Sequence, residues 1–397
     1  MDSHRLFLIA FYCMFALPVM AKDGNEPATC IAWKKIVSRE VEMGVPKGDR
    51  DTIKRDGSNT LTKLLTDAIQ AGTVTVYSNL DASHSTPISL YERSVITGSL
   101  SDTIVLTDPI TRNELVKVIR REIDYRNIHK YRVQEEWAYD PAMGVTTVQI
   151  LSIAPVRDIY ASDGTLRGVQ AMFWMKFRDA EPIIERYDRA HADNAFVKHI
   201  WNDYFATAPA VTNDGVWGTQ VMRTVEMPAD KEVELHHLKD NAVDNSLLDM
   251  LLAAKYSGRI ATGAAYDHGL INMLAANNFR DSSFIVAHTT VILDPITSRE
   301  EEKTILSLAV NRKDIPKKLQ IVEHWSFDPF VGSTTIQMKA MAVSVKEEST
   351  IEPMFWMRFK DIRSMVADYD MYHQLNSFAA SLHDSYFLSD TKPVVMQ

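Results

Sequence analysis

Glu135-Glu136-Trp137-Ala138-Tyr139-Asp140-Pro141 returns later in the chain as Glu323-His324-Trp325-Ser326-Phe327-Asp328-Pro329. In both places an aromatic-rich, loosely alternating run enters an Asp-Pro turn that ends on glycine, Gly144 or Gly332. A second alternating run follows, Val145 to Ile153 or Ser333 to Val343. Period two with β-branched residues on either side of a Pro/Gly turn predicts a β-hairpin. A hairpin therefore stands at the centre of each of two related segments.

Further blocks repeat in the same order. Met172-Phe173-Trp174-Met175-Lys176-Phe177-Arg178-Asp179 returns as Met354-Phe355-Trp356-Met357-Arg358-Phe359-Lys360-Asp361. The stretch from Trp33 through Arg39 to Met43 returns from Trp217 through Arg223 to Met227. Trp217 follows Trp33 by 184 residues, Trp325 follows Trp137 by 188 and Trp356 follows Trp174 by 182. Such a period is far longer than the roughly 20–50 residues of a solenoid repeat, so this is a duplicated domain. The biggest change in offset falls where Tyr160 to Thr165 in the first copy faces the shorter, charged Lys346 to Ser349 in the second. These read as one hairpin with two different tips, since length variation belongs in surface loops. The expected domains are 30–206 and 216–389, with a linker at 207–215 rich in small residues and ending in Asn-Asp-Gly.

Leu61 to Gln70 and Leu247 to Lys255 carry apolar residues at three- and four-residue steps and are closed by Gly72 and Gly258, which predicts a helix in each copy. Thr103 to Leu106 and Phe284 to Leu293 read as strands. The Asp-Pro-Ile-Thr sequences after them, from Asp108 and from Asp294, are expected to turn the chain into helices starting at Arg112 and Ser298. Ala171 to Phe177 and Pro353 to Phe359 read as further strands. Asp179 to Arg189 then Phe196 to Phe205, and Asp361 to Tyr369 then Leu375 to Phe387, read as closing helices. The fold class expected is α+β: two homologous tandem domains, each an antiparallel sheet with a central hairpin flanked by helices.

The 397-residue length suits two domains. The net charge of −9, with only short basic runs, excludes a broad nucleic-acid-binding face, which needs clustered Lys and Arg. The chain opens with an apolar run from Leu6 to Leu17, then Pro18 and Val19-Met20-Ala21. That is the layout of a secretory signal peptide over 1–21, and the run is short for a membrane span. Neither cysteine follows a lipobox, and after cleavage Cys30 alone would remain. An exported, periplasmic protein is expected.

The chain carries no Gly-x-Ser-x-Gly, no His-Glu-x-x-His and no Gly-rich phosphate loop. His236-His237 is adjacent in sequence and His191 lies eight residues from His199; neither spacing suits one metal ion, and neither pair recurs as a pair in the other copy. No metal or cofactor is expected. Glu135 with Asp140, and Glu323 with Asp328, flank an aromatic and could do acid–base work on a sugar. The simpler reading makes the aspartate a turn former and the glutamate a cross-strand or surface charge. Six of the seven tryptophans occupy matched positions, with Trp201 apart in a closing helix. In Phe173-Trp174 and Phe355-Trp356 the neighbouring rings should point to opposite faces of a strand, one into a core and one toward a helix or a partner.

The ordered blocks resemble a known family. Val37 to Met43 is similar to its Trp-Arg-Glu-Ile-Asp-Leu opening, without the tryptophan. Gly72 to Tyr77 resembles its Gly-x-x-x-Ala-Tyr stretch, with Val76 before the tyrosine, and Gly258 to Tyr266 is a looser echo. Glu135-x-Trp137-x-Tyr139-Asp140 and Glu323-x-Trp325-x-Phe327-Asp328 are similar to its Glu-x-Trp-Phe-Phe-Asp. Ile153-Ala154-Pro155 matches its Ile-Ala-Pro, which the second copy replaces by Met341-Ala342-Val343; Phe173-Trp174 and Phe355-Trp356 match its Phe-Trp strand. The family is the gliding motility protein GldN, also called PorN, of Bacteroidetes, here in tandem. The resemblance implies a non-enzymatic periplasmic subunit of the type IX secretion system. It would sit in a ring with a GldK/PorK-like outer-membrane lipoprotein, associate with GldL/GldM-like inner-membrane motor proteins, and self-associate. On that reading Arg39, Arg223, Glu135, Trp137, Asp140, Glu323, Trp325, Asp328, Phe173, Trp174, Phe355 and Trp356 are family-motif or interface residues. The rival readings are a periplasmic ligand- or glycan-binding protein using the paired aromatics, and a hydrolase using the paired carboxylates.

Overall fold

The computed structural model describes residues 31–43, 60–78, 85–97, 101–107, 114–120, 123, 125, 128–161, 163–205, 210–211, 215–227, 247–256, 258–263, 266–267, 270–271, 285–293, 300–308, 318–347, 350–373, 377–388 and 394–395. The signal-peptide segment, Cys30, His236-His237 and both Asp-Pro-Ile-Thr turns lie outside the described residues.

In the first repeat β1 (Trp33–Glu42) is followed by α1 (Leu61–Gln70), β2 (Val76–Tyr77), α2 (Leu90–Ile96), β3 (Ser101–Thr107) and β4 (Glu114–Arg120). Then come β5 (Lys130–Asp140), β6 (Val145–Tyr160), β7 (Leu166–Ala171), β8 (Trp174–Lys176), α3 (Phe177–Ala190) and α4 (Phe196–Tyr204). The second repeat is entered through β9 (Ala210–Val211), a strand inside the expected linker. It runs β10 (Trp217–Glu226), α5 (Leu247–Tyr256), β11 (Thr262–Gly263), β12 (Tyr266–Asp267), β13 (Leu270–Ile271), β14 (Ile285–Leu293) and β15 (Glu300–Leu308). It ends with β16 (Lys318–Asp328), β17 (Ser333–Glu347), β18 (Thr350–Arg358), α6 (Phe359–His373), α7 (Phe378–Phe387) and β19 (Val394–Val395).

Helices α1 and α5 end as their glycines predict. Gly72 and Gly258 have φ of 72° and 69°. Gly72 N–H donates to Ile69 O and Thr73 N–H to Ala68 O; Gly258 N–H donates to Lys255 O and Arg259 N–H to Ala254 O. Both are Schellman closures that satisfy otherwise orphaned carbonyls. The helices expected from Arg112 and Ser298 are not formed. The chain instead makes β4 and β15, each folded back antiparallel on the strand before it, with Ser101 opposite Arg120 and Ile285 opposite Leu308. Leu115, Val116, Val118 and Ile119 favour a strand over the helix expected after Asp-Pro-Ile-Thr. Helix α2 lies between the helix and the strand that the sequence patterning predicts, where no element was expected. Its start is a capping box, Ser89 with Glu92, and that Ser-x-x-Glu spacing was legible in the sequence.

The central hairpins form as predicted, β5 on β6 and β16 on β17. Their sheets do not remain separate. A single 13-stranded sheet runs β1-β5-β6-β17-β16-β10-β19, and β6 pairs antiparallel with β17. The reason lies in what each hairpin leaves bare. On β6 the other neighbours, β7 and β8, begin pairing at Ser152, and on β17 the neighbour β18 begins at Ala340. Val145 to Gln149 and Ser333 to Gln337 are therefore open edge, and each covers the other.

The phenylalanines and tryptophans of the Phe-Trp strands divide as alternation predicts. Phe173 joins the large core of the first repeat, while Trp174 packs with Tyr77, Ala154 and Ala171 in a small cluster apart from it. Phe355 joins the core of the second repeat, and Trp356 packs with Val322, Ala340 and Ala342. No helix among the described residues is long and apolar enough to cross a membrane.

Candidate interface: an aromatic seam between two repeats

Strand β1 lies on β5 with Val37 opposite Glu135, which brings Arg39 diagonally across to the same carboxylate. Arg39 Nε donates to Glu135 Oε1 at 2.9 Å, Tyr204 Oη donates to the same oxygen at 2.7 Å, and Trp137 Nε1 donates to Oε2 at 3.2 Å. The Arg39 guanidinium stacks 4.2 Å from the Tyr204 ring and also pairs with Asp203. Glu135 is fully buried. Of the two places the simpler reading allowed it, Glu135 is thus the cross-strand charge and not the surface one.

The second repeat builds the same group. Arg223 Nε reaches Glu323 Oε2 at 3.4 Å, Tyr386 Oη donates to Oε1 at 2.5 Å and Trp325 Nε1 donates to Oε2 at 2.9 Å. The Arg223 guanidinium lies 4.4 Å from the Tyr386 ring. Burial, reinforced by the neighbouring glutamate, pushes both Tyr204 and Tyr386 well above the ordinary phenol range, so each stays a proton donor. Sequence reading singled out the Arg, Glu and Trp of this group but missed both tyrosines. Their matched places at the ends of the closing helices were the available signal.

The two groups face each other. Trp137 and Trp325 meet edge to face with centroids 6.1 Å apart. Trp137 lies 5.4 Å from Tyr386 and 5.3 Å from Phe387; Trp325 lies 5.6 Å from Tyr204 and 5.0 Å from Phe205. Trp33 donates from Nε1 to Ala379 O of the other repeat at 2.9 Å, with its ring 5.4 Å from His383. Trp217, its counterpart, lies 6.2 Å from Trp201, the counterpart of His383. Tyr139 is buried in the core of the second repeat, and Trp325, Phe327 and Ile336 in that of the first. Each repeat completes the other's interior.

The backbone shows the same two-fold relation. Thr147 stands opposite its own counterpart, Thr335. Ile150 N–H donates to Gly332 O, and Met338 N–H to Gly144 O, both at 2.9 Å. Gly144 and Gly332 both have φ of 64°. A Cβ on Gly144 would lie 2.1 Å from Phe359 Cε1, and one on Gly332 would lie 2.3 Å from Phe177 Cε1. Only glycine fits either position, for its left-handed backbone and for the ring that presses on it. This reciprocity is the geometry of an isologous dimer interface, written inside one chain.

Asp140 and Asp328 form their turns, as predicted. Asp140 Oδ1 accepts from the N–H of Ala142 and Met143, and Asp328 Oδ1 from those of Phe330 and Val331. The two carboxylates of each repeat are thus spent on different local tasks, one in the seam and one in the turn. His191 and His199 bind separately, to Tyr187 O and Asn194 Oδ1.

Residues 27–208 and 211–390 each match the family model of the gliding motility associated protein GldN. The chain belongs to the GldN family. It carries the GldN unit twice, as the repeated blocks and the seam also indicate. No curated protein matches the chain. Membership associates this GldN chain with the gliding motility and type IX secretion machinery.

Proposed function

We propose that this tandem GldN is a non-enzymatic, periplasmic structural subunit of a type IX secretion and gliding complex. It stands in a ring with a GldK/PorK-like outer-membrane lipoprotein, is held at the outer membrane through that partner, and contacts GldL/GldM-like motor proteins. The observation that carries this reading is the seam. The side chains that recur in both repeats are used to lock two building blocks into one rigid unit, with the aromatic side chains of the seam facing one another. One chain then occupies the place of two subunits. A glycan-binding role would instead need Trp137 and Trp325 on an open wall, and both are buried.

Affinity capture of the tagged chain from native cell envelopes, with chemical crosslinking, tests the reading. A co-purifying lipoprotein and large assemblies are expected. A strictly monomeric exported protein without a membrane-associated partner would overturn it.

A further inference from the structure

The two-fold relation that governs the seam fails at the outer edges of the sheet. On β10 the edge is covered twice. Val211 and Ala210 lie opposite Trp217 and Gly218, and Val395 and Val394 lie opposite Val221 and Met222. Its counterpart β1 pairs, among the described residues, with β5 alone. Burial records the difference. Val221 is fully buried, whereas Val37 at the matching position is half-buried; Met222 is half-buried, whereas Ser38 is exposed. Ile36 beside them is 59% exposed.

A long edge strand is a template for another strand unless charge, proline or a bulge blunts it. The ten residues of β1 carry no proline and run in unbroken register on β5. Charges stand at Lys34 and Lys35 on one side and at Arg39 and Glu40 on the other. The uncharged gap, Ile36-Val37-Ser38, includes the two positions whose counterparts β19 covers on β10. The sheet thus has two equivalent slots and one C-terminal strand. The linker strand that follows the first repeat, Ala210–Val211, is already engaged on β10.

We propose that the β1 edge at Val37–Ser38 is a strand-acceptor site for the Val394–Val395 segment of a second copy of this chain. The register follows from β10: Val37 opposite Val395 and Ser38 opposite Val394, antiparallel. The occupant is chosen because the same segment already adopts this pairing on the equivalent edge. Exchanging one such pairing for another costs little, which is the logic of domain swapping. A tail bound to the opposite end of a neighbour's sheet is a heterologous contact. It builds a ring where the rotation closes and a filament where it does not. The inference rests on the reading of the chain as an assembly subunit and supplies one of its contacts.

The test mixes two purified chains, both with Cys13 and Cys30 replaced by serine, one carrying Ser38→Cys and the other Val394→Cys. Opposed residues of an antiparallel pair lie within disulfide reach. A disulfide-linked heterodimer is expected on oxidation of the mixture. In sedimentation, deletion of residues 389–397, or Ser38→Lys, should abolish concentration-dependent association with the far-UV circular dichroism unchanged. No covalent product from the mixture, closure of a Ser38→Cys/Val394→Cys chain on itself alone, or undiminished association after the deletion would each overturn the proposal. Because only this chain is present, such a failure is separate from a failure to capture envelope partners.

Discussion

In the first repeat Arg39 has two carboxylates, Glu135 within the group and Asp203 beside it. In the second, the position of Asp203 is taken by Ser385, which offers Arg223 only its backbone carbonyl, at 3.2 Å. The side chain of Arg39 is 15% exposed and that of Arg223 is 7% exposed. The same buried group is therefore built twice with unequal insurance. Removing one partner of a buried ion pair costs about 3–5 kcal/mol, because the other charge is left buried without compensation. Glu323→Ala should sit at the upper end of that range. Glu135→Ala should cost roughly 1 kcal/mol less, since Arg39 keeps Asp203 near the solvent. Urea unfolding of both variants measures the difference, and equal costs would show that Asp203 contributes nothing.

The seam itself should behave identically from both sides. Gly144→Ala and Gly332→Ala each place a methyl group into a ring of the other repeat and strain a left-handed backbone. Overpacking of this kind costs about 1–3 kcal/mol, and the αL conformation adds about 1 kcal/mol. The reciprocal pairing sharpens the prediction. Phe359→Leu should recover part of the loss in Gly144→Ala and nothing in Gly332→Ala, while Phe177→Leu should do the opposite. Double-mutant cycles read this directly. Equal rescue by either substitution would break the two-fold description of the seam.

How much of this was legible beforehand differs between hairpins and seam. Local chemistry announces the hairpins, because Asp140-Pro141 and Gly144 specify a turn and alternation specifies its arms. The Schellman glycines and the opposed faces of Phe173 and Trp174 were legible for the same reason. The merged sheet was not, because pairing between Thr147 and Thr335 depends on which edge β7, β8 and β18 leave open, and no local pattern encodes that. Two separate domains were the natural expectation, yet Tyr139 and Phe327 each pack in the other repeat's core. The error at Arg112 and Ser298 has a local cause: Asp-Pro-Ile-Thr suits a helix start and a hairpin loop equally, and the β-branched residues after it decide. Arg39, Glu135 and Trp137 were found because they recur within closely matched blocks, whereas Tyr204 and Tyr386, though 182 residues apart like the Phe-Trp pairs, follow unlike residues, Asn202-Asp203 and Asp384-Ser385.

The smallest expected effect concerns the start of each closing helix. In the first repeat α4 begins at Ala195, which has no side chain to cap it, and Asp188 accepts from the N–H of Phe196 and Val197 at 2.6 and 3.2 Å. In the second, Ser377 caps α7, and Asp370 also accepts from Phe378 and Ala379 at 2.6 and 3.1 Å. Burial pushes Asp188 up to about 6 and Asp370 up to about 7, against those backbone donors, which pull the other way. A carboxyl that holds its proton to higher pH when folded stabilises the fold fully below its unfolded value, near 4. That contribution is lost as pH rises through about 6 for Asp188 and about 7 for Asp370. Stability should therefore decline between pH 4 and 7 by way of these two groups. Asp370→Asn should flatten the decline over the wider window and Asp188→Asn over the narrower one, each keeping an amide oxygen as acceptor. Urea midpoints measured across that range check the order. If Asp188→Asn flattens the profile more, burial outweighs the backbone N–H groups by a wider margin at the uncapped α4 than at α7, and the contrast between the two helix starts runs the other way.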